Sequence, residues 1–135
     1  MQHSKKELVE ISIEKAKTAL SDASFSFSND RLYNAQNRIY YSIFYSATAL
    51  SYLFDKVTSK HKNLLHWFNK KFIHEDKIFE PIFFTFYKKA YENRHKSDYE
   101  FTWKPNKEEV EADLKNTEVF TNAVEEFIRK NWLEE

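Results

Sequence analysis

The chain has 135 residues, 41% apolar and 31% charged, enough for one domain with a sizeable core. It contains no glycine and no cysteine, which excludes Gly-rich phosphate loops, nucleotide-binding fingerprints, nucleophile elbows, disulfides, thiolate zinc sites and a cysteine nucleophile. Its 21 basic and 21 acidic side chains cancel, so any contact with nucleic acid must come from a local patch rather than a global field.

Helix-period patterning without glycine predicts an all-α domain. The first residues carry charges inside every hydrophobic stretch, unlike a signal peptide. No stretch approaches the ~20 apolar residues of a membrane helix, so the expectation is a soluble cytoplasmic protein that does not engage a membrane. Ser4 and Glu7 form a capping box, and Leu8, Ile11, Ala16, Ala19, Leu20 and Ala23 follow at helical spacing. This predicts a first helix near 5–23, with residues 24–29 a Ser/Phe connector.

A second helix is expected from about Asp30. Leu32, Ala35, Ile39, Ile43, Ala47, Leu50, Phe54 and Val57 step by threes and fours, a long stripe predicted to be buried. A third helix, about 61–73, carries Leu64, Leu65, Phe68 and Phe72, and ends near His74 to Asp76. Pro81 suits a first helical turn, so a fourth helix is placed from about 79–81 to Asp98 or beyond. Trp103 to Pro105 breaks it. Asn106 and Glu109 repeat the capping pattern and open a last helix to about Trp132, its face being Val110, Leu114, Thr117, Phe120 or Thr121, Val124, Phe127 and Ile128. Four to five helices with short joins read as one up-and-down antiparallel bundle spanning 1–135.

Several polar groups stand outside this pattern. On helix two, Asn34, Arg38, Tyr41, Tyr45, Thr48 and Tyr52 share a second face. It reads either as an amphipathic edge with wetted tyrosine hydroxyls or as a groove floor whose Arg38 forks a phosphate. On helix four, Tyr87, Tyr91, Arg94 and Asp98 recur at helical spacing, and Arg94 and Asp98 can pair at i, i+4. That pair is either an exposed ion pair of small worth or a guanidinium oriented toward a ligand. The histidines His3, His61, His66, His74 and His95 lack the spacing of a zinc site, so neither metal nor cofactor is expected.

The run from Ala35 to Leu50, AQNRIYYSIFYSATAL, resembles the helix-two signature of HEPN domains (higher eukaryote and prokaryote nucleotide-binding). It is closest to the small prokaryotic branch with an N-R-x-Y-Y-x-x-F pattern. Lys60-His61 resembles that branch's histidine after helix two, and Arg94 to Tyr99 resembles its R-x-x-x-D-Y motif. The resemblance covers about residues 5–132. It implies a helical bundle, usually dimeric, and a metal-independent RNase acting as toxin or defence effector. Its alternative is a nucleotide-binding module or the partner of a minimal nucleotidyltransferase. RNase members carry a histidine after Arg and four to six further residues, and here Tyr99 takes the first of those places. A tyrosine, with its ordinary pKa of ~10, is a poor base near neutrality, which leaves His61 and His95 as the nearest replacements. The resemblance and the second stripe together nominate Arg94, Asp98, Tyr99 and His61 for catalysis. They nominate Asn37, Arg38, Tyr41, Tyr45 and His95 for binding RNA or a nucleotide. The aromatic load of 13 Phe, 8 Tyr and 3 Trp also leaves side chains for a homodimer interface.

Overall fold

A computed structural model describes residues 3–56 and 58–133. Five helices make the fold: α1 (Lys5–Ser28), α2 (Leu32–Leu53), α3 (His61–Phe68), α4 (Ile82–Tyr99) and α5 (Lys107–Ile128). Among the described residues there is no strand. Wide turns with i→i+5 bonding extend α3 over Asn69–Glu75 and α5 over Arg129–Leu133.

The side-chain ties give the direction of each helix. Lys5, opening α1, reaches Asp55 Oδ2 at 3.1 Å beyond the end of α2, so α1 and α2 form an antiparallel hairpin. Glu10 and Lys17 of α1 face Arg129 and Glu125, so α5 runs against α1. Lys107, opening α5, binds Asp30 at the α1–α2 turn at 2.8 Å. Phe83 packs on Phe120 and Asn93 meets Asp113, so α4 runs against α5. The result is the expected up-and-down bundle.

The hairpin is close because its seam is small. Ala16, Ala19 and Ala23 of α1 are 2% exposed or less, and Ser42 of α2 donates to the Ala16 carbonyl at 2.8 Å. The stripe continues to buried Ser26, which accepts from Asn34 Nδ2 at 2.6 Å. The connector expected over 24–29 is therefore the last turn and a half of α1. Its inward residues are Ala23 and Ser26, whereas Phe25, the residue that suggests a broken period, is 73% exposed.

Along α2, Ala35, Ile39, Ile43, Ala47 and Leu50 are fully buried and Leu32 is half-buried. Phe54, expected inside, is 37% exposed because it caps the helix, where its ring lies edge-on to Phe72 and beneath the Lys71 ammonium. Val57 lies outside the described residues. The start also moves, from Asp30 to Leu32, because Asp30 has φ 57°. Without glycine, the left-handed positions after α1, after α2 and before α4 fall to Asp30, Asp55 and Lys77, and aspartate bears that conformation best.

The other half of the core is aromatic. Phe68, Phe72, Phe79, Tyr87 and Phe120 pack ring on ring at centroid distances of 5.3 to 6.0 Å. Both caps read from the sequence form: Glu7 N donates to Ser4 Oγ at 3.1 Å and Glu109 N to Asn106 Oδ1 at 3.0 Å. The Glu7 carboxylate accepts from the Ser4 hydroxyl and lies beside His3 rather than closing the box on the backbone.

Candidate functional site

Helix periodicity gives consecutive tyrosines of α2 different tasks. Tyr40 lies on the core face and is fully buried, while Tyr41, one residue on, faces the groove edge and is half-buried. Phe44, one turn later, stacks on the imidazole of His61 at 4.1 Å and 15°. His61 is the first residue of α3, so the turn after α2 brings it back over the middle of that helix. Its Nδ1 lies 2.6 Å from the Tyr40 hydroxyl.

Two guanidiniums arrive at the same place. Arg38 Cζ stands 5.0 Å from the Tyr41 ring centroid, and Arg94 Cζ, from α4, stands 5.4 Å from that ring and 5.1 Å from the Tyr40 ring. The Asn37 carbonyl oxygen accepts from Arg38 Nε at 3.0 Å and Nη2 at 2.8 Å, which fixes the fork. Asp98 faces Arg94 Nε at 3.8 Å, a loose pair that leaves the guanidinium available. His61 meets the Tyr41 ring edge-on at 6.1 Å. Two fixed cations, one imidazole and two phenols thus occupy one site.

The electrostatics follow from burial. Desolvation holds the His61 imidazole below its ordinary value, and the Arg94 charge pushes the same way. Desolvation also raises the Tyr40 phenol well above its ordinary value, with Arg94 opposing. At neutral pH the site therefore holds a neutral imidazole, a neutral phenol and two permanent cations.

The structure divides the nominated residues into two groups. Asn37, Arg38, Tyr41, His61 and Arg94 come together, with Asp98 at the edge. Tyr45 adjoins Tyr41 at 5.8 Å but turns to α1, where Lys15 Nζ lies 5.6 Å from its ring. Tyr99 is 75% exposed and its ring rests on His95 at 4.7 Å. Among the described residues, no hydrogen bond, ring contact or ion pair joins Tyr99 or His95 to the His61 cluster. The R-x-x-x-D-Y spacing therefore places Arg94 in the cluster, but Tyr99 lies on a later turn that projects beyond the bundle. Sequence reasoning missed Tyr40 and Phe44 as site residues. Tyr40 lies at core period, and only its adjacency to Tyr41 in the motif marked it.

A buried polar group holds α4 against α2 and α5. Asp113 is 8% exposed, pairs with Lys89 at 2.9 Å and lies 3.5 Å from Asn93 Nδ2, with Gln36 beside it. Asn93 immediately precedes Arg94 and Gln36 immediately precedes Asn37, so this group sets the register in which the two motifs meet. Burial raises the Asp113 carboxyl above its ordinary value, although Lys89 pulls it down.

A surface cavity of about 740 Å³ lies elsewhere, against Ile73, His74, Ile78, Phe79 and Phe84. It holds none of the residues just described, and its lining is mostly apolar. Among the described residues, no group of three or more His, Asp or Glu side chains is arranged to hold a metal ion. Nor is any helix among them long and apolar enough to cross a membrane.

The family model described as "HEPN domain" matches residues 9–127. The chain is similar to a Thermotoga maritima protein named "UPF0332 protein", 32% identical over 92% of this chain and 93% of that one. It is also similar to two Methanocaldococcus jannaschii proteins, each named "Putative toxin". One is 36% identical over 96% of this chain and 87% of its own length. The other is 33% identical over 93% and 92%.

Proposed function

The chain belongs to the HEPN domain family, and we propose that within it this protein is an RNA-directed toxin or defence effector, a metal-independent endoribonuclease. The observation that carries the reading is the meeting of Arg38 and Arg94 on the Tyr41 ring beside His61. Two guanidiniums over one polar edge match the two non-bridging oxygens of a phosphodiester. Each is fixed before an anion arrives, Arg38 by Asn37 and Arg94 by the Tyr40–Tyr41 faces.

The reaction uses the RNA's own nucleophile. The 2′-hydroxyl gives up its proton to water as its oxygen attacks the adjacent phosphorus, the bond to the 5′-oxygen breaks and that oxygen takes up a proton, and a 2′,3′-cyclic phosphate and a 5′-hydroxyl form. Charge gathers on the phosphorane oxygens in the transition state, where Arg94 and Arg38 stabilise it. His61 serves in proton transfer, the role that Tyr99 occupies by spacing but not by position. In this reading the protein works as a homodimer in the cytoplasm.

A second reading draws on one observation. Tyr99 stands at the motif's histidine position and is 75% exposed. A surface so placed suits docking of a nucleotidyltransferase partner, with the arginines holding a nucleotide rather than cleaving RNA.

The test is incubation of purified protein with structured and single-stranded RNA in EDTA, with Arg94→Ala and His61→Gln alongside. Cleavage by wild type alone supports the nuclease. Binding of RNA or nucleotide without cleavage by any of the three supports the second reading.

A further inference from the structure

The Tyr40 hydroxyl is the group that decides what His61 can do. Its oxygen lies 2.6 Å from His61 Nδ1, and Tyr40 itself is fully buried. Among the described residues, no other side-chain or backbone acceptor bonds this hydroxyl. Arg94 also lies beside the phenol and offers only donors, and among the described residues no hydrogen bond joins the Tyr40 hydroxyl to the neighbouring phenols of Tyr41, Tyr87 and Tyr91. Tyr40 therefore has one place to direct its proton, the lone pair on Nδ1. A neutral imidazole carries one N–H, so the ring proton resides on Nε2. Stacking on Phe44 at 4.1 Å and contact with Tyr41 at 6.1 Å keep the ring from turning over.

We propose that Tyr40 is a positioning residue that locks His61 as its Nε2–H tautomer and so presents an N–H, beside the Arg94 guanidinium, to a phosphate oxygen. His61 is half-exposed, and Nε2 is the nitrogen left without a protein partner among the described residues. This inference rests on the proposed function for its phosphate, but the tautomer stands on the geometry of Tyr40 and His61 alone.

The role is specific in sign. A nitrogen that already bears a proton is not a base, so His61 meets the RNA as a donor. It stabilises the phosphate oxygens or hands a proton to the departing oxygen once it has been protonated. Were the tautomer reversed, Nδ1–H would donate to the Tyr40 oxygen and Nε2 would be a free base. The buried Tyr40 hydroxyl would then have no acceptor, which is costly for a buried donor.

The experiment reads the tautomer directly. Protein labelled with ¹⁵N in its histidines is examined at pH 8 by long-range ¹H–¹⁵N correlation, with His61→Gln assigning the resonance. The expected result is a protonated Nε2 and an unprotonated Nδ1 shifted by an accepted hydrogen bond. In Tyr40→Phe, which keeps the ring, Nδ1 moves to the value of an unbonded nitrogen. Titration with a 2′-deoxy dinucleoside phosphate, which cannot be cleaved, shifts the Nε2 resonance in wild type. A protonated Nδ1 in the wild-type protein overturns the inference without needing any variant to fold, and leaves the nuclease reading to its own assay. A correct tautomer whose Nε2 ignores the phosphate probe overturns the presentation of that N–H to phosphate. If RNA cleavage is absent while the tautomer and probe shift are as expected, the nuclease reading fails and this inference holds.

Discussion

Arg38 of α2 and Arg94 of α4 place their guanidiniums over the same aromatic ring, at 5.0 and 5.4 Å from the centroid of Tyr41. Like charges held near one ring repel, and among the described residues the carboxylate paired with them is Asp98, loosely, on Arg94. Arg38 has the neutral Asn37 carbonyl, and Asp98 stands 3.8 Å from Arg94. The ring face compensates each cation by about 0.5–2 kcal/mol depending on exposure, which does not remove the repulsion between them. A purely structural site would have evened this charge with a buried acid. In the proposed reading an anion completes the pair.

Replacing Arg94 with alanine should leave the helical spectrum unchanged and reduce RNA cleavage by ~10²–10³-fold, the typical loss for one donor aimed at transition-state charge. It should also let the His61 pKa rise toward 6.5, because Arg94 is one of the two groups holding it down. An NMR titration of the histidines checks the second outcome without reference to activity.

His61 makes stability depend on pH in one direction. Its folded-state pKa lies below the ordinary 6.5, through burial first and Arg94 second, so the unfolded chain binds its proton more readily. The contribution is complete above pH 6.5 and is lost as pH falls through the lower folded value. The charge facing the ring is Arg94, and the titratable groups beside it are the Tyr40 and Tyr41 phenols. Melting temperatures from pH 8 to 5 should fall more for wild type than for His61→Gln. Equal slopes would place the cause elsewhere.

The α1–α2 seam is filled by alanine. Ala19 is 2% exposed, so Ala19→Leu forces three extra carbons between closely packed helices and should cost about 1–3 kcal/mol in chemical denaturation. Chemical denaturation in which Ala19→Leu is as stable as wild type would show that the hairpin is looser than the contacts of Ser42 and Ala16 indicate.

Asp113→Ala should cost a similar ~1–3 kcal/mol, because it leaves Asn93 buried without its acceptor. Asp113→Asn should cost less, since burial already disfavours the carboxylate despite Lys89. If the register argument holds, Asp113→Ala also weakens RNA cleavage although it lies in a different contact group from Arg94.

Much of this was legible in the sequence, and the reasons for the remainder are physical. The α2 stripe showed because large aliphatic residues recur at helical period, and the two caps showed because their residue types are distinctive. The last turn of α1 did not, since its buried residue is Ser26 and its visible one, Phe25, faces solvent. In the site, Arg38, Tyr41, His61 and Arg94 were named from their motifs. Tyr40 was not, because a tyrosine at core period reads as packing until its hydroxyl is seen 2.6 Å from a histidine in another helix. Tyr99 shows the converse: correct spacing along a helix brought it near in sequence to Arg94 but not onto the same contacts.

The aromatic surplus predicts a homodimer. Phe25, Tyr99 and Phe101 remain 73%, 75% and 102% exposed, apolar surface that a partner copy would cover. Light scattering at micromolar concentration should give twice the 16.4 kDa of one chain. A monomer throughout that range would contradict it.

The most direct measurement is the chemistry of the cut ends. RNA incubated with wild-type protein in EDTA should yield 2′,3′-cyclic phosphate and 5′-hydroxyl termini. A substrate carrying a single 2′-deoxy nucleotide should resist cleavage at that linkage, and Arg94→Ala should slow cutting by ~10²–10³-fold. Cleavage that needs a divalent ion, proceeds at the 2′-deoxy linkage, or is undiminished in Arg94→Ala would contradict the account.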